Sequence, residues 1–354
     1  MILSAADHKF DAYRFSKQLW CDQFRDLPNN CMHINLDWNT KPQQSSYVVL
    51  TTFTEYLPSK ELLSWIDQFQ DSFVFVVTGQ SYQDLPPVTD RYQIMSLRYY
   101  YGFYSKCMPK TPIPIVDRHF TKKFLSLNNR SSWPRLALAQ ALYQSKLLDD
   151  CFFSYRCEDR FHQGKRAVFE SDCQMVGQTW FNQSLNMEEF YSQLPIIAND
   201  DDFDDYDSGN TIGPGNGMFY SKSFASFVNE TYIDENGDAF LTEKAFKPLS
   251  YGHPFLLFSS AGAMSKLKQL GFETFSDIFD ESYDDIDCPQ QRFEFILREM
   301  FRTCQMSLTD LQEMYYNAIP RLQHNQNLFR QDLVEKFDKE LSEVKQQILS
   351  RVIS

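Results

Sequence analysis

Phe73-Val74-Phe75-Val76-Val77-Thr78-Gly79 is the stretch on which the fold turns. Five apolar residues follow one another without a polar position between them, and a glycine ends the run. Unbroken apolarity of strand length means burial on both faces, as a parallel sheet flanked by helices requires. Upstream, Tyr47-Val48-Val49-Leu50-Thr51-Thr52-Phe53 has the same character. Between the two runs, Pro58 precedes Leu62, Leu63, Ile66 and Phe69, which fall on one face of a helix. Strand, helix and strand in this order make one βαβ unit.

The pattern recurs downstream. Phe124-Leu125-Ser126-Leu127-Asn128 reads as a strand and Asn129 to Pro134 as a turn, with Pro134 placed for a helix start. The helix runs from Arg135 to Leu148, and Cys151-Phe152-Phe153-Ser154-Tyr155 is the next strand. Phe224 to Thr231 and Pro254 to Ser259 read as two further buried strands. A helix opens between them at Thr242-Glu243, where a hydroxyl can cap free amides and an acid meets the positive end of the helix dipole. Ala263 to Gly271 is expected as a helix, Phe272 to Phe275 as a short strand, and everything after Pro289 as helical. Leu333, Phe337, Leu341, Val344 and Ile348 form the stripe of an amphipathic C-terminal helix, with His324 between it and the helix before. The first 45 residues give no assignment, and residues 84–120 and 156–217 read mainly as irregular. The expected organisation is α/β: residues 1–155 as one Rossmann-like domain, 156–310 as a second, and 311–354 as closing helices.

A length of 354 residues, 43% hydrophobic and 23% charged, suits a globular chain of two domains. With 32 Phe and 19 Tyr against 12 Gly, little material remains for phosphate loops built on repeated glycines. A net charge of −13 argues against partners that present a nucleic-acid backbone or an anionic membrane. The eight cysteines contain no C-x-x-C pair, so free thiols in a reducing cytosol are expected rather than a thiolate metal site. The N-terminus turns polar too early for a signal peptide, and no apolar run is long enough to span a membrane. These features point to a soluble, cytoplasmic protein.

In an open α/β sheet, ligands bind outside the carboxyl ends of the strands, and two segments offer polar side chains there. The first holds Asn128, Arg130 and Arg135, where guanidinium groups and helix-start amides suit a phosphate. The second holds Glu230, Thr242, Glu243, Lys244 and Lys247. A carboxylate there can accept both hydroxyls of a ribose, and a lysine can pair with a diphosphate. On spacing alone, solvated side chains or ordinary salt bridges are the better reading of Arg130 and Arg135, and the second signal is weak as well, since Glu and Lys are common in any first helical turn.

Phe240-Leu241-Thr242-Glu243-Lys244-Ala245-Phe246-Lys247-Pro248-Leu249, followed by Gly252-His253-Pro254-Phe255, resembles the donor-site signature of GT-B glycosyltransferases. It is most similar to the α1,3-fucosyltransferase and exostosin-like groups. Together with Ser226 to Thr231, Leu270-Gly271-Phe272, Asp280 to Asp284 and Lys123 to Ala137, it also resembles predicted glycosyltransferases of large DNA viruses and phages. Trp133-Pro134 stands where those chains would be expected to carry a Pro-His pair. The resemblance extends over residues 120–330 and is specific between 224 and 285. It implies a GT-B fold, two Rossmann-like domains facing a cleft, and transfer of a sugar from a nucleotide sugar, in the narrower reading a GDP-sugar, to a hydroxyl of a glycan or protein. It implies no metal or other cofactor, and a host-cell cytoplasmic location if the protein is viral. Glu243 would hold the ribose or the sugar, Lys244 would meet the diphosphate, and Glu230 would line the donor pocket. Arg135 would reach across from the first domain. Activation of the acceptor needs a carboxylate or histidine, for which Glu55, Asp117 and His119 are the candidates. Two alternatives stand beside this reading: a glycosyltransferase acting on hydroxymethylated DNA bases, and a degenerate, non-catalytic family member with a structural or binding role.

Other motifs have plainer explanations. The acidic run from Asp200 to Asp207 contains Asp-x-Asp spacing suited to a hard cation, but no strand frames it and a solvated loop is the better reading. Gly213-Pro214-Gly215-Asn216-Gly217 lacks the strand and helix of a dinucleotide fingerprint. His253 is a ligand contact or a structural histidine. The aromatic run from Tyr99 to Tyr104 stacks on sugars or covers a core.

Overall fold

A computed structural model describes residues 22–28, 30–35, 45–52, 57–79, 82, 84–106, 108, 114–158, 165–200, 203–204, 217–231, 233, 239 and 241–353, with the backbone alone at 35, 129–130, 158, 199–200 and 203–204. In chain order the elements begin with β1 (Cys31–Asn35), β2 (Tyr47–Thr52), α1 (Ser59–Ile66), β3 (Phe73–Thr78), β4 (Tyr92–Ser96) and α2 (Gly102–Lys106). There follow β5 (Lys122–Arg130), α3 (Trp133–Gln144), β6 (Cys151–Glu158), α4 (Lys165–Val176) and α5 (Met187–Ser192). The short β7 (Asn199–Asp200) and β8 (Phe203–Asp204) lead to α6 (Gly217–Lys222), β9 (Ser223–Asn229), α7 (Glu243–Ser250), β10 (Phe255–Phe258) and α8 (Ala263–Gln269). Three long helices end the chain: α9 (Pro289–Cys304), α10 (Leu308–Asn327) and α11 (Leu333–Ile353). None of the described helices is long and apolar enough to cross a membrane.

The chain divides into two compact units, one of residues 1–109 with 327–354, the other of 110–209 with 214–326. In the first, four parallel strands lie in the order β1-β2-β3-β4. Val48, Leu50, Val74 and Val76 meet Leu62 and Ile66 of α1 in a core sealed from solvent, which is why those strands read as continuous apolar runs. Tyr100, Tyr101, Phe103 and Tyr104 are at most 2% exposed, so this cluster covers a core and offers no sugar platform. Phe103 packs on Phe337 of α11, and the Glu340 carboxylate accepts from the Arg98 and Tyr99 amides at 2.9 and 3.0 Å. A Cβ at Gly102 would stand 2.1 Å from the Leu333 carbonyl oxygen, so a glycine is what lets α2 approach α11 so closely.

The second unit holds a parallel sheet in the order β10-β9-β5-β6. Residues 122–158 therefore belong with the later strands, and the boundary expected at 155 falls inside this unit. The reason is pairing: Leu125 of β5 is in register with Phe152 of β6 on one side and Ser226 of β9 on the other. The expected block of closing helices is likewise divided, since α10 belongs to the second unit and α11 to the first. Phe272 to Phe275 form no strand; Phe275 packs its ring on Phe255 while its amide donates to Glu281. His324 lies within α10, not between helices.

Candidate functional site

The second sheet changes direction of winding. From β5 the chain passes through α3 to β6 on one side, and from β9 through α7 to β10 on the other. The carboxyl ends of β5 and β9 thus flank a topological switch point, the place where open α/β sheets take ligands. Extending the register that pairs Leu125 with Ser226 sets Asn128 beside Asn229, and Asn128 is itself the partner of Tyr155. Alternation along the strands puts Asn128, Tyr155, Asn229 and Phe258 on the face that carries α3, where Trp133 packs on Phe258. Glu230 points to the opposite face, toward α7.

On the α7 side, Glu230 is 2% exposed and its carboxylate is consumed by the protein itself. Its Oε1 accepts from the Thr242 amide at 2.9 Å and the Ala245 amide at 3.3 Å. Its Oε2 accepts from the Thr242 hydroxyl at 2.5 Å and the Thr231 amide at 3.3 Å. The Thr242 hydroxyl in turn caps the helix by accepting from the Lys244 amide at 3.3 Å. Glu230 thus anchors the start of α7 to the end of β9. Burial raises its pKa, against the pull of Lys244.

Glu243 and Lys244 lie side by side at the mouth of this helix. Lys244 Nζ donates to Glu243 Oε1 at 3.0 Å and to Thr242 Oγ1 at 3.2 Å, with the two side chains 25% and 7% exposed for lysine and glutamate. Burial alone would raise the pKa of Glu243, but Lys244 and Lys247 together hold it below the usual value. Loss of hydration brings Lys247 down to about 8, partly offset by Glu243. With Glu230, two lysines stand beside two buried carboxyl groups, close to charge balance when both acids are ionised.

On the α3 side, Asn128 is buried, its Nδ2 donating to the Ser126 carbonyl at 3.4 Å and the Ser126 hydroxyl at 3.1 Å. Its amide donates to Ser154 Oγ at 3.2 Å, and its Oδ1 accepts from Asn229 Nδ2 at 3.3 Å. Arg135 is 8% exposed in the first turn of α3, in the same unit as Glu243 rather than reaching from another domain. The Arg130 side chain lies outside the described groups. Ser132, the N-cap of α3, makes no side-chain capping bond. Beside it, the Ser131 hydroxyl donates to Asp172 of α4 and accepts from Tyr155 OH at 2.5 Å.

The three candidates for acceptor activation are not brought here. Glu55 lies outside the described residues. Asp117 and His119 are exposed in the segment that leads into β5, at the amino end of the sheet. Strand direction separates them from the switch point by the length of β5. The residue between them, Arg118, is the anchored one: its guanidinium donates to the carbonyls of Pro114, Tyr220, Tyr251 and Gly252. His253 is fully buried and structural, with Nε2 donating to the Ser223 carbonyl at 2.8 Å and Nδ1 accepting from the Ser226 hydroxyl at 2.8 Å. Burial lowers its pKa to about 3, and Arg118 adds to the effect.

Asn229, Tyr155, Ser131 and Asp172 had no signal in a local motif. Asn229 is one of the polar residues that end a largely apolar strand, and Asp172 sits in a helix whose periodicity is weak. Among the described residues no group of three or more His, Cys, Asp or Glu is placed to hold a metal. The chain matches no family model, no curated protein and no solved structure.

Proposed function

We propose that the second unit binds a nucleotide sugar at this switch point and that the protein is a glycosyltransferase of the GT-B type, transferring the sugar to a hydroxyl acceptor. The observation that carries the reading is the buried Glu243–Lys244 pair with Lys247 one turn on, at the carboxyl end of a parallel sheet that reverses its winding. In such a transfer the C1–O bond to the diphosphate breaks as the acceptor oxygen attacks C1. The electron pair leaves with the nucleoside diphosphate, and the acceptor proton goes to a base. Lys244 and Lys247 are placed to meet the departing negative charge, and Glu243 holds them in position and offers an acceptor to a ligand hydroxyl. The amides of α7 contribute little, because Glu230 and Thr242 already occupy them. A GDP-sugar is the narrower reading of the donor, from the similarity of the Thr242–Lys247 segment to fucosyltransferases.

Isothermal calorimetry on Glu243→Gln and Lys244→Met with GDP-fucose and UDP-glucose tests the reading. Whichever donor the wild type takes, affinity is expected to fall at least tenfold, about 1.4 kcal/mol, with melting temperature within a few degrees of wild type. Undiminished donor binding in both variants would overturn it. Tight binding without transfer or donor hydrolysis would leave a binding protein in place of an enzyme.

A further inference from the structure

Asn229 ends β9 at the reversal of the sheet and is 4% exposed. The orientation of its amide is set by its neighbour. Asn128 has committed Nδ2 to Ser126, so it turns Oδ1 toward β9 and receives Asn229 Nδ2 there at 3.3 Å. Asn229 Oδ1 is thereby turned away from β5, buried and without a hydrogen-bond partner. One strand further, just past β10, the Ser259 hydroxyl is also buried and unpartnered, in a residue 1% exposed. An unsatisfied buried acceptor costs about 1–3 kcal/mol, and native proteins hold few of them. An apolar residue at 259 would remove that cost, whereas at 229 it would exchange it for an unpaired Asn128 Oδ1. Ser259 follows Phe258, the partner of Asn229, so its side chain leaves on the other face, and the two atoms are separate. Asn229 Oδ1, at the ligand-binding end of the sheet, has a use if its partner arrives with the ligand.

We infer that Asn229 Oδ1 accepts a hydroxyl of the sugar carried by the bound nucleotide, which makes Asn229 a specificity-determining residue of the site. The inference rests on the nucleotide-sugar reading and adds to it the atom that reads the sugar. Asn229 makes and breaks no covalent bond. Because its carbonyl is shielded from bulk water, the donor that satisfies it is a group that arrives at the switch point with the ligand. A buried acceptor of this kind discriminates strongly against an analogue that lacks the hydroxyl, since the analogue leaves it unpaired.

The test is calorimetry of the wild type, Asn229→Ala and Asn229→Ser against GDP-fucose, UDP-glucose, GDP and UDP, with melting temperatures of the ligand-free proteins. For the nucleotide sugar that the wild type binds, both variants are expected to lose at least tenfold in affinity. Binding of the corresponding bare nucleoside diphosphate should be unchanged, and the ligand-free melting temperature of Asn229→Ala should stay within a few degrees of the wild type, because removing one unpaired acceptor leaves Asn128 Oδ1 as another. Equal affinity of wild type and variants for the sugar nucleotide would overturn the assignment. So would parallel loss of sugar nucleotide and bare nucleotide with a lowered melting temperature, the mark of a structural role. A wild type that binds none of the four is a different result: it removes the glycosyltransferase reading, and this assignment with it.

Discussion

The two parallel sheets use the same kind of strand and differ in how they are wound. The first adds β1, β2, β3 and β4 always to the same side, whereas the second turns back between β5 and β9. Polar residues follow that difference. Toward the carboxyl ends of the first sheet the buried polar groups among the described residues are the hydroxyls of Thr51, Thr52 and Thr78, and Thr51 Oγ1 pairs with His33 Nε2 at 2.9 Å. At the carboxyl ends of the second lie amides and a carboxylate, Asn128, Asn229 and Glu230, with two buried oxygens unpartnered. Crossover helices that leave to opposite faces part at the switch point and open a crevice, while helices that always step the same way leave none. Similar cores therefore carry different surfaces.

Acid separates the two sheets most strongly. Each holds a histidine whose neutral form the fold favours: His33, lowered to about 4 by burial, and His253, lowered to about 3. A depressed histidine pKa means that the unfolded chain binds more protons, so stability is full above the ordinary value of 6.5 and declines as pH falls. The loss should reach about 3 kcal/mol for the first sheet and about 5 kcal/mol for the second, at 1.36 kcal/mol per pH unit. Down to about pH 4 both sheets should loosen together; below it, His253 alone continues to cost. Amide exchange in β2 and β9 followed from pH 7 downward measures this, and His253→Asn should abolish the additional loss at β9. Equal acid sensitivity of β9 in the wild type and that variant would show that His253 is not the group responsible.

Substitutions should address the units one at a time. Glu230→Ala strips partners from two amides and a hydroxyl at the start of α7, a cost of about 3 kcal/mol that should raise exchange in β9 and α7. Gly102→Ala drives a methyl group into the Leu333 carbonyl, a cost of about 2 kcal/mol confined to α2 and α11. If either change loosened both sheets alike, the division into two units would hold for the geometry but not for the energetics.

Most of the strands were legible because burial on both faces writes itself as an unbroken apolar run. Val74 to Val77 and Phe255 to Phe258 need no context to be read. The membership of β5 was not legible, since the same run Phe124–Asn128 pairs equally well with earlier or later strands. That choice is made by tertiary register, and it moved Arg135 into the unit that holds Glu243. β1 and β4 escaped notice because each presents only five residues of mixed polarity, Cys31 to Asn35 and Tyr92 to Ser96. In the site, the Thr242 cap was readable from a hydroxyl before an acid. The part of Glu230 was not, because an acid that closes a strand looks the same whether it turns inward to a helix or outward to a ligand. Asp117 and His119 have chemistry suited to activating an acceptor, and strand direction places them at the amino end of the sheet.

The smallest predicted effect bears on what the second sheet's cations are for. Lys247, at about 8, loses its charge within an accessible range, its ordinary value being 10.5. If it pairs with a diphosphate, donor affinity should be level below about pH 7 and fall by up to tenfold per unit above about pH 8, because only the ammonium form contributes. Lys247→Met should bind more weakly at every pH and lose the slope. Lys247→Arg, charged throughout, should keep neutral-pH affinity to about pH 9. Calorimetric titrations across that range decide. A wild-type affinity that is flat in pH would take Lys247 out of the diphosphate contact. Lys247 would then serve Glu243 alone, and the cations left to meet a diphosphate would narrow to Lys244 and Arg135.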